Sequence, residues 1–177
     1  MPLNSLTFAS TLEQIETSEA FKNFKEKNPK IELCAGFFII DYEQNKNQQQ
    51  LDYCLADGKI FTFILNPETK EIIIKQAEKI EMQDKKLEKL GKLNPDIKAD
   101  LDDVEKILSE KLKQKKIDKK LNKTIAILHK SSETNKQIWN LNCMLAGLEI
   151  LQVQIDTETG EILKFEKKSM FDFIKKQ

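Results

Sequence analysis

The chain has 177 residues, which allows one large domain or two small ones, and 40% of them are hydrophobic, enough for a packed core. It carries 29 acidic and 29 basic residues, so no net charge draws it to nucleic acid or to an acidic membrane. Every basic residue is lysine, and without arginine the chain cannot make bidentate guanidinium contacts with phosphate or guanine.

The cellular compartment is predicted from the cysteines and from the N-terminal residues. Cys34, Cys54 and Cys143 lie far apart in sequence and form no CxxC pair, which predicts buried free thiols in a reducing compartment. The N-terminus lacks a basic segment followed by an apolar run, and no apolar stretch reaches the roughly 18 residues of a spanning helix. A cytoplasmic protein without a membrane partner is therefore expected.

The first half predicts a helix followed by four strands. Ser10 and Glu13 have the spacing of a capping box, which predicts one helix or two abutting helices over 10–27. Asn28 and Pro29 end this helical segment. The segments rich in β-branched and aromatic residues that follow predict strands over 31–42, 51–56, 59–65 and 71–76.

The second half predicts the same order of elements. A highly charged segment, 77–93, is predicted to be a helical connector between the halves. The clearest predicted helix spans 99–116 and carries one apolar stripe at helical spacing, formed by Leu101, Val104, Leu108 and Leu112. The strands that follow it are predicted over 123–130, 137–146, 148–155 and 161–167.

The connections between strands are predicted from polar and turn-forming residues. Residues 43–50 show no periodicity and predict an exposed loop. Asp57 and Gly58 predict a tight hairpin turn, and the segment 131–135 predicts another turn.

Residues 51–72 align without a gap on residues 141–162, with eight identities in 22 positions. Self-similarity at a fixed offset indicates duplicated structural units. The prediction is an α+β protein made of two repeated α-β-β-β-β units, in which a helix packs on the apolar face of an antiparallel sheet. The units are assigned to 1–76 and 96–177, joined by the connector at 77–95.

The two copies share a turn, written NPETKE at 66–71 and DTETGE at 156–161. Asn66 and Asp156 suit the first turn position, where their side chains bond the backbone beyond, and Thr69 and Thr159 match each other. Gly160 can adopt a left-handed backbone conformation without strain. Lys70 lies at the matching site, where the same conformation costs a non-glycine residue about 1–2 kcal/mol.

The segment GLEILQVQIDTETGEILKFE at 147–166 resembles the PepSY domain, found in propeptides of thermolysin-like metalloproteases and in small exported proteins. The hallmark of that domain is matched by Asp156, Thr159, Gly160, Glu161 and Ile162. The first half matches more weakly, through Asn66, Thr69, Glu71 and Ile72, with Lys70 in place of the glycine. The resemblance implies a cystatin-like two-layer fold and a non-enzymatic role, binding and restraining a peptidase or another protein.

No catalytic, cofactor-binding or metal-binding residues are predicted. His129 is the sole histidine, and it is interpreted as a structural residue at the end of a strand. The carboxylate pairs Glu68 with Glu71, and Glu158 with Glu161, fall in exposed turns, whereas a general acid needs burial to raise its pKa. No phosphate-binding or zinc-protease motif is present.

A lysine-rich segment, 111–123, could bind nucleic acid or an acidic partner through salt-sensitive contacts. Its basic residues are Lys111, Lys113, Lys115, Lys116, Lys119, Lys120 and Lys123. A solvated helix end is the favoured interpretation, because no aromatic stacking platform lies beside them. Trp139 and Tyr53 occupy equivalent strand regions and are interpreted as core residues rather than a binding face.

The leading functional prediction is a non-catalytic module that binds a protein or peptide through an exposed sheet face or an edge strand. One alternative is a weak nucleic-acid binder acting through 111–123. The other is a small enzyme with a pocket on a concave sheet face, lined by His129 and a cysteine or carboxylate.

Overall fold

The computed structural model describes residues 6–77 and 91–171 of the chain. Its helices are α1 (Phe8–Glu16), α2 (Glu19–Lys27) and α3 (Leu101–Gln114). Its first four strands are β1 (Glu32–Asp41), β2 (Gln48–Cys54), β3 (Ile60–Leu65) and β4 (Ile72–Gln76). The other four are β5 (Leu121–Lys130), β6 (Gln137–Leu145), β7 (Glu149–Asp156) and β8 (Ile162–Ser169).

All eight strands form one antiparallel sheet with the order β4-β3-β2-β1-β5-β6-β7-β8. The predicted α+β class is confirmed. Strands β1–β4 and β5–β8 are two meanders that run outward from the central β1–β5 pair. In that pair Phe37 lies opposite Ile127, and Ile39 lies opposite Ile125. The two halves of the chain therefore share a continuous sheet.

The predicted first helix is two helices, divided at Thr17 and Ser18. The Ser10–Glu13 capping box is wrong: Thr7 caps α1, and its Oγ1 accepts a hydrogen bond from Ser10 N at 3.1 Å. The helix starts earlier because Phe8, at the first helical position, is fully buried in the core. Ser18 caps α2 in the same way, through Phe21 N.

The predicted exposed loop over 43–50 is wrong at its end, because β2 begins at Gln48. Gln49 is buried on the helix side of the sheet, where its Oε1 accepts a hydrogen bond of 2.9 Å from Thr11 Oγ1. A polar side chain can be buried when a partner satisfies it, and hydropathy alone does not reveal that partner.

The helical connector predicted over 77–93 falls mostly on residues 78–90, which lie outside the described residues. Its last residues, from Gly91 on, are not helical. Leu93 is buried, and its backbone N–H donates to Leu33 O of β1 at 2.8 Å. The chain is thus already packed against the sheet before α3 begins.

The core lies between the three helices and one face of the sheet. The stripe predicted on α3 is confirmed, since Leu101, Val104, Leu108 and Leu112 are all buried. Tyr53 and Trp139 are core residues, as predicted. Trp139 donates its indole N–H to Ala99 O at 2.8 Å, which satisfies its one polar atom inside the core.

One carboxylate joins the N-termini of two helices. Asp100 is the N-cap of α3 and forms a capping box with Asp103. The same side chain accepts hydrogen bonds from Phe8 N at 2.7 Å and from Ala9 N at 3.0 Å, in the first turn of α1. Four backbone N–H groups of each helix start have no partner within the helix, so Asp100 satisfies donors of both helices at once.

The two turns compared in sequence have the same hydrogen bonds. Asn66 Oδ1 accepts from Glu68 N at 2.9 Å, and Asp156 Oδ1 accepts from Glu158 N at 2.8 Å. Thr69 and Thr159 each accept a backbone hydrogen bond two residues on, at 3.3 and 3.2 Å. The sequence predicts the backbone bonds of Asn66 and Asp156, which are Asx turns; the threonine hydroxyl that stabilises the exit of each turn is a further finding.

This turn also closes two further hairpins, β1–β2 and β5–β6. Each of the four turns has a backbone hydrogen bond from its fifth residue to the carbonyl of its first, over 2.8 to 3.1 Å. Each fifth residue has positive φ: 54° at Asn45, 63° at Lys70, 60° at Asn135 and 73° at Gly160. The five-residue turn with a left-handed fifth residue therefore closes four hairpins of this sheet and is not specific to the repeated motif.

Candidate functional site

Within residues 6–77 and 91–171, no helix covers one face of the sheet, and we call it the helix-free face. Along β5 the residues alternate: Thr124, Ala126 and Leu128 are buried under the helices. Ile125 and Ile127, between them, point to the other side and are partly exposed. Successive side chains of a strand point to opposite faces, so this alternation identifies the helix-free face in every strand.

The centre of the helix-free face is apolar. Phe37 and Ile39 on β1 lie directly opposite Ile127 and Ile125 on β5, and all four are partly exposed. We call these four residues the central patch. They straddle the junction of the two meanders, so both halves of the chain contribute equally to it.

Neutral amide side chains border the central patch on both sides. They are Gln48 and Gln50 on β2, Asn140 and Asn142 on β6, and Gln152 and Gln154 on β7. We call them the amide flanks. Each amide offers two N–H donors and a carbonyl acceptor.

The central patch and the amide flanks form two adjacent rows of side chains that run across the strands. One row is Gln50, Phe37, Ile127, Asn140 and Gln154, and the other is Gln48, Ile39, Ile125, Asn142 and Gln152. Neither row contains a charged residue between β2 and β7. Charged side chains appear at the edge, with Lys164 and Glu166 on β8, and at the strand ends, with Asp41 opposite Lys123. The whole chain is 33% charged, so a solvated face of this size should carry several charges. Loss of charge is what distinguishes the centre of a protein interface from the surrounding surface.

Two open depressions lie at opposite ends of the second meander on this face. One, of about 320 Å³, is lined by residues that include Lys123, Met144 and Glu149. Glu149 Oε1 accepts from Lys119 Nζ at 2.8 Å, and this contact holds the pKa of that carboxyl below its usual range.

The other depression, of about 560 Å³, includes His129 and Glu133 in its lining. Among the described residues no hydrogen bond joins His129 to Glu133, and no cysteine lines the depression. Within the same part of the chain, no three histidine, cysteine or carboxylate side chains are grouped as a metal site would require. The depression therefore offers no matched acid–base pair.

The predicted lysine patch is divided between the two sides of the sheet. Lys111 lies over the ring of Phe165, with Nζ 5.9 Å from the centroid, whereas Lys123 lies on the helix-free face. Lys119 is paired with Glu149. The remaining four are exposed around the end of α3: Lys113, Lys115, Lys116 and Lys120.

The cysteines are unpaired, but they are not equivalent. Cys143 faces the helices, where burial raises its pKa to about 11. Cys34 is buried, whereas Cys54 is partly exposed, so the prediction of three buried thiols is wrong for Cys54. Cys34 and Cys54 lie on paired strands, and their thiols are hydrogen-bond partners. The distance between them in sequence, and a register shift between Leu33 and Ala35, concealed this contact.

No protein-family profile matches the sequence, and no curated protein shows significant sequence similarity. The structure is similar to the crystal structure of a "putative lipoprotein" from Clostridium difficile 630, with a TM-score of 0.56 and 17% sequence identity. The match covers 85% of this chain and 91% of that one, and at this identity it shows a shared fold alone. Within the described ranges, no helix is long and apolar enough to cross a membrane.

Proposed function

We propose that this protein is a non-catalytic module that binds a protein or peptide on the helix-free face. One observation carries the proposal: two rows across five strands that contain no charged side chain, in a chain that is 33% charged. Burying the central patch against a partner would contribute about 25 cal/mol of favourable free energy for each Å² of apolar surface removed from water.

The chemistry of the face favours a polypeptide partner. The central patch would contact apolar side chains, and the amide flanks would bond backbone N–H and C=O groups of a chain lying across them. Nucleic acid requires cations near each phosphate, and the two rows contain no lysine.

Three features support two repeated PepSY-like units, 1–76 and 96–177, within this fold. Both halves have helix cover followed by a four-strand meander. The meanders meet at equivalent strands, β1 and β5. The turns at Asn66 and Asp156 form matching hydrogen bonds. If the resemblance to the PepSY domain holds for function, the partner is a peptidase or another protein whose activity the module restrains. The cytoplasmic location remains a prediction.

The binding proposal is tested by placing a photo-crosslinking residue at Phe37 and comparing two lysine substitutions on the same face. Ile127→Lys puts a charge in the central patch, whereas Ile73→Lys puts it on edge strand β4, where Ile73 is 54% exposed. We expect Ile127→Lys to weaken capture of the crosslinked protein at least about tenfold, because a partner would bury the unpaired charge. Ile73→Lys should leave capture unchanged.

Far-UV circular dichroism must show that both variants keep the native sheet. Equal capture by the two variants would place the partner elsewhere and reject the helix-free face as its site. Recovery of nucleic acid alone would favour the alternative below.

The second candidate function is nucleic-acid binding, favoured by the four exposed lysines around the end of α3. A filter-binding titration of Lys115→Glu with Lys120→Glu, across a range of salt, distinguishes it. Phosphate contacts release counterions, so wild-type affinity must fall steeply with salt and the double variant must lose affinity at every salt concentration.

A further inference from the structure

Cys34 and Cys54 are brought together by an irregularity in the β1–β2 pair. Glu32 pairs with Cys54, and the register shifts between Leu33 and Ala35, so that Cys34 is an extra residue in a β-bulge. Such a bulge changes the direction of the inserted side chain, and the Cys34 thiol is in hydrogen-bond contact with the Cys54 thiol.

The surroundings of the two thiols differ. Cys34 is 1% exposed, and its Sγ lies 3.2 Å from the backbone O of Asp52. Cys54 is partly exposed, so a small molecule can reach its sulfur while Cys34 stays covered. An accessible thiol beside a buried one is the arrangement in which one cysteine reacts first and the other resolves the product.

The contact between the two thiols favours ionisation of Cys54 over Cys34. The hydrogen-bond contact with Cys34 lowers the pKa of Cys54, against the opposing effects of burial and of the Asp52 and Glu32 carboxylates. The same contact, together with burial, raises the pKa of Cys34. Cys54 is therefore the thiolate that attacks an incoming disulfide.

We propose that Cys34 and Cys54 are a redox pair that closes to an intramolecular disulfide on exposure to a low-molecular-weight disulfide such as oxidised glutathione. The Cys54 thiolate attacks one glutathione sulfur, the glutathione S–S bond breaks, and one glutathione leaves as a thiolate that takes up a proton. Cys34 then loses its proton and attacks the Cys54 sulfur, which expels the second glutathione. Two protein thiols lose two electrons, and one glutathione disulfide gains them as two thiols.

The chain is well suited to a test by peptide mapping. Trypsin cleaves after lysine and places the cysteines in three separate peptides, 31–46, 47–59 and 137–164. The native protein is treated with oxidised glutathione, alkylated and digested. We expect peptides 31–46 and 47–59 to be linked. In a portion taken before alkylation and digestion, the intact mass should fall by about 2 Da, and dithiothreitol should reverse both changes.

Three variants give the order of the steps. Cys34→Ala should stop at a stable glutathione adduct on Cys54, because no resolving thiol remains. Cys54→Ala should gain neither adduct nor disulfide, and Cys143→Ala should behave as wild type because Cys143 is buried on the other side of the sheet.

The proposal would be overturned by a glutathione adduct that persists on wild-type Cys54, by a link to peptide 137–164, or by no reaction. A link between two copies of peptide 47–59 would overturn it as well, since that bond joins two molecules. None of these results bears on the binding function, which uses the central patch.

Discussion

The two halves of the molecule contribute to one sheet, but they fill the layer beneath the helices with different side chains. In the first half, Phe21, Tyr53 and Phe63 form a cluster with ring centroids 5.1 to 5.4 Å apart, under two helices of nine residues each. In the second half, aliphatic side chains and Trp139 fill the same layer under one helix of 14 residues. The order and register of the strands thus follow from the alternation of apolar and polar residues and from the positions of the turns. The identity of the apolar residues determines how the core of each half is packed.

The largest expected effect comes from removing one ring in each half. Phe63→Ala and Trp139→Ala each delete a fully buried side chain and should lower the free energy of unfolding by about 3–5 kcal/mol. Urea unfolding followed by far-UV circular dichroism measures the loss. Because the buried residues of both halves form one core cluster, each variant should still unfold in a single transition.

Ile64→Ala, next to Phe63 but on the helix-free face, is the matched control and should cost under about 1.5 kcal/mol. Two separate transitions would instead mean that the halves are stable independently.

A smaller change in stability should distinguish substitutions at Gly160 and at Lys70, the matching positions of the two turns. Gly160 has φ of 73° and Lys70 has φ of 63°, so both positions are left-handed. Gly160→Lys should therefore lower the free energy of unfolding by about 1–2 kcal/mol. Lys70→Gly should cause no loss, because relief of the left-handed conformation offsets the added freedom of the unfolded chain. Thermal unfolding compares the two, and equal destabilisation would contradict the turn assignment.

The smallest expected change in stability comes from Asp52, a carboxylate of the first half that has a neutral residue at the matching position of the second half. The alignment of the halves places Asp52 at the position of Asn142. Burial raises the pKa of Asp52, although Thr62 Oγ1 donates to its carboxylate at 2.6 Å. A raised folded-state pKa means that ionisation disfavours the folded state, so this penalty is present at neutral pH and disappears as pH falls toward the pKa of the unfolded chain.

Asp52→Asn should therefore stabilise the protein at pH 7 and have little effect near pH 4. The reciprocal change, Asn142→Asp, should destabilise it at pH 7 more than at pH 4. Chemical denaturation at both pH values tests the pair, and a pH-independent difference would rule out ionisation as the cause.

Features that repeat locally could be predicted from the sequence. The α3 stripe and the strand positions follow from apolar periodicity, and the turns at Asn66 and Asp156 follow from their side-chain chemistry. The alternation within β5 also indicated that Ile125, Ile127 and His129 share a face, although not that no helix of residues 6–77 and 91–171 covers it.

Features that depend on long-range pairing could not be predicted. Nothing local indicates that β1 lies beside β5, yet that pairing brings the central patch together. The contact of Cys34 with Cys54 depends on a one-residue bulge, which periodicity cannot reveal. The Ser10 capping box failed because burial of Phe8 outweighed a local signal.

The double cap at Asp100 has a consequence for the order in which the chain can mature during synthesis. Asp100 follows Phe8 by 92 residues, so the ribosome completes the whole first meander before this carboxylate exists. Synthesis adds about 5–20 residues each second, which leaves the start of α1 without its acceptor for several seconds. The first turn of α1 thus gains this acceptor late, although it is the first helical turn to be translated.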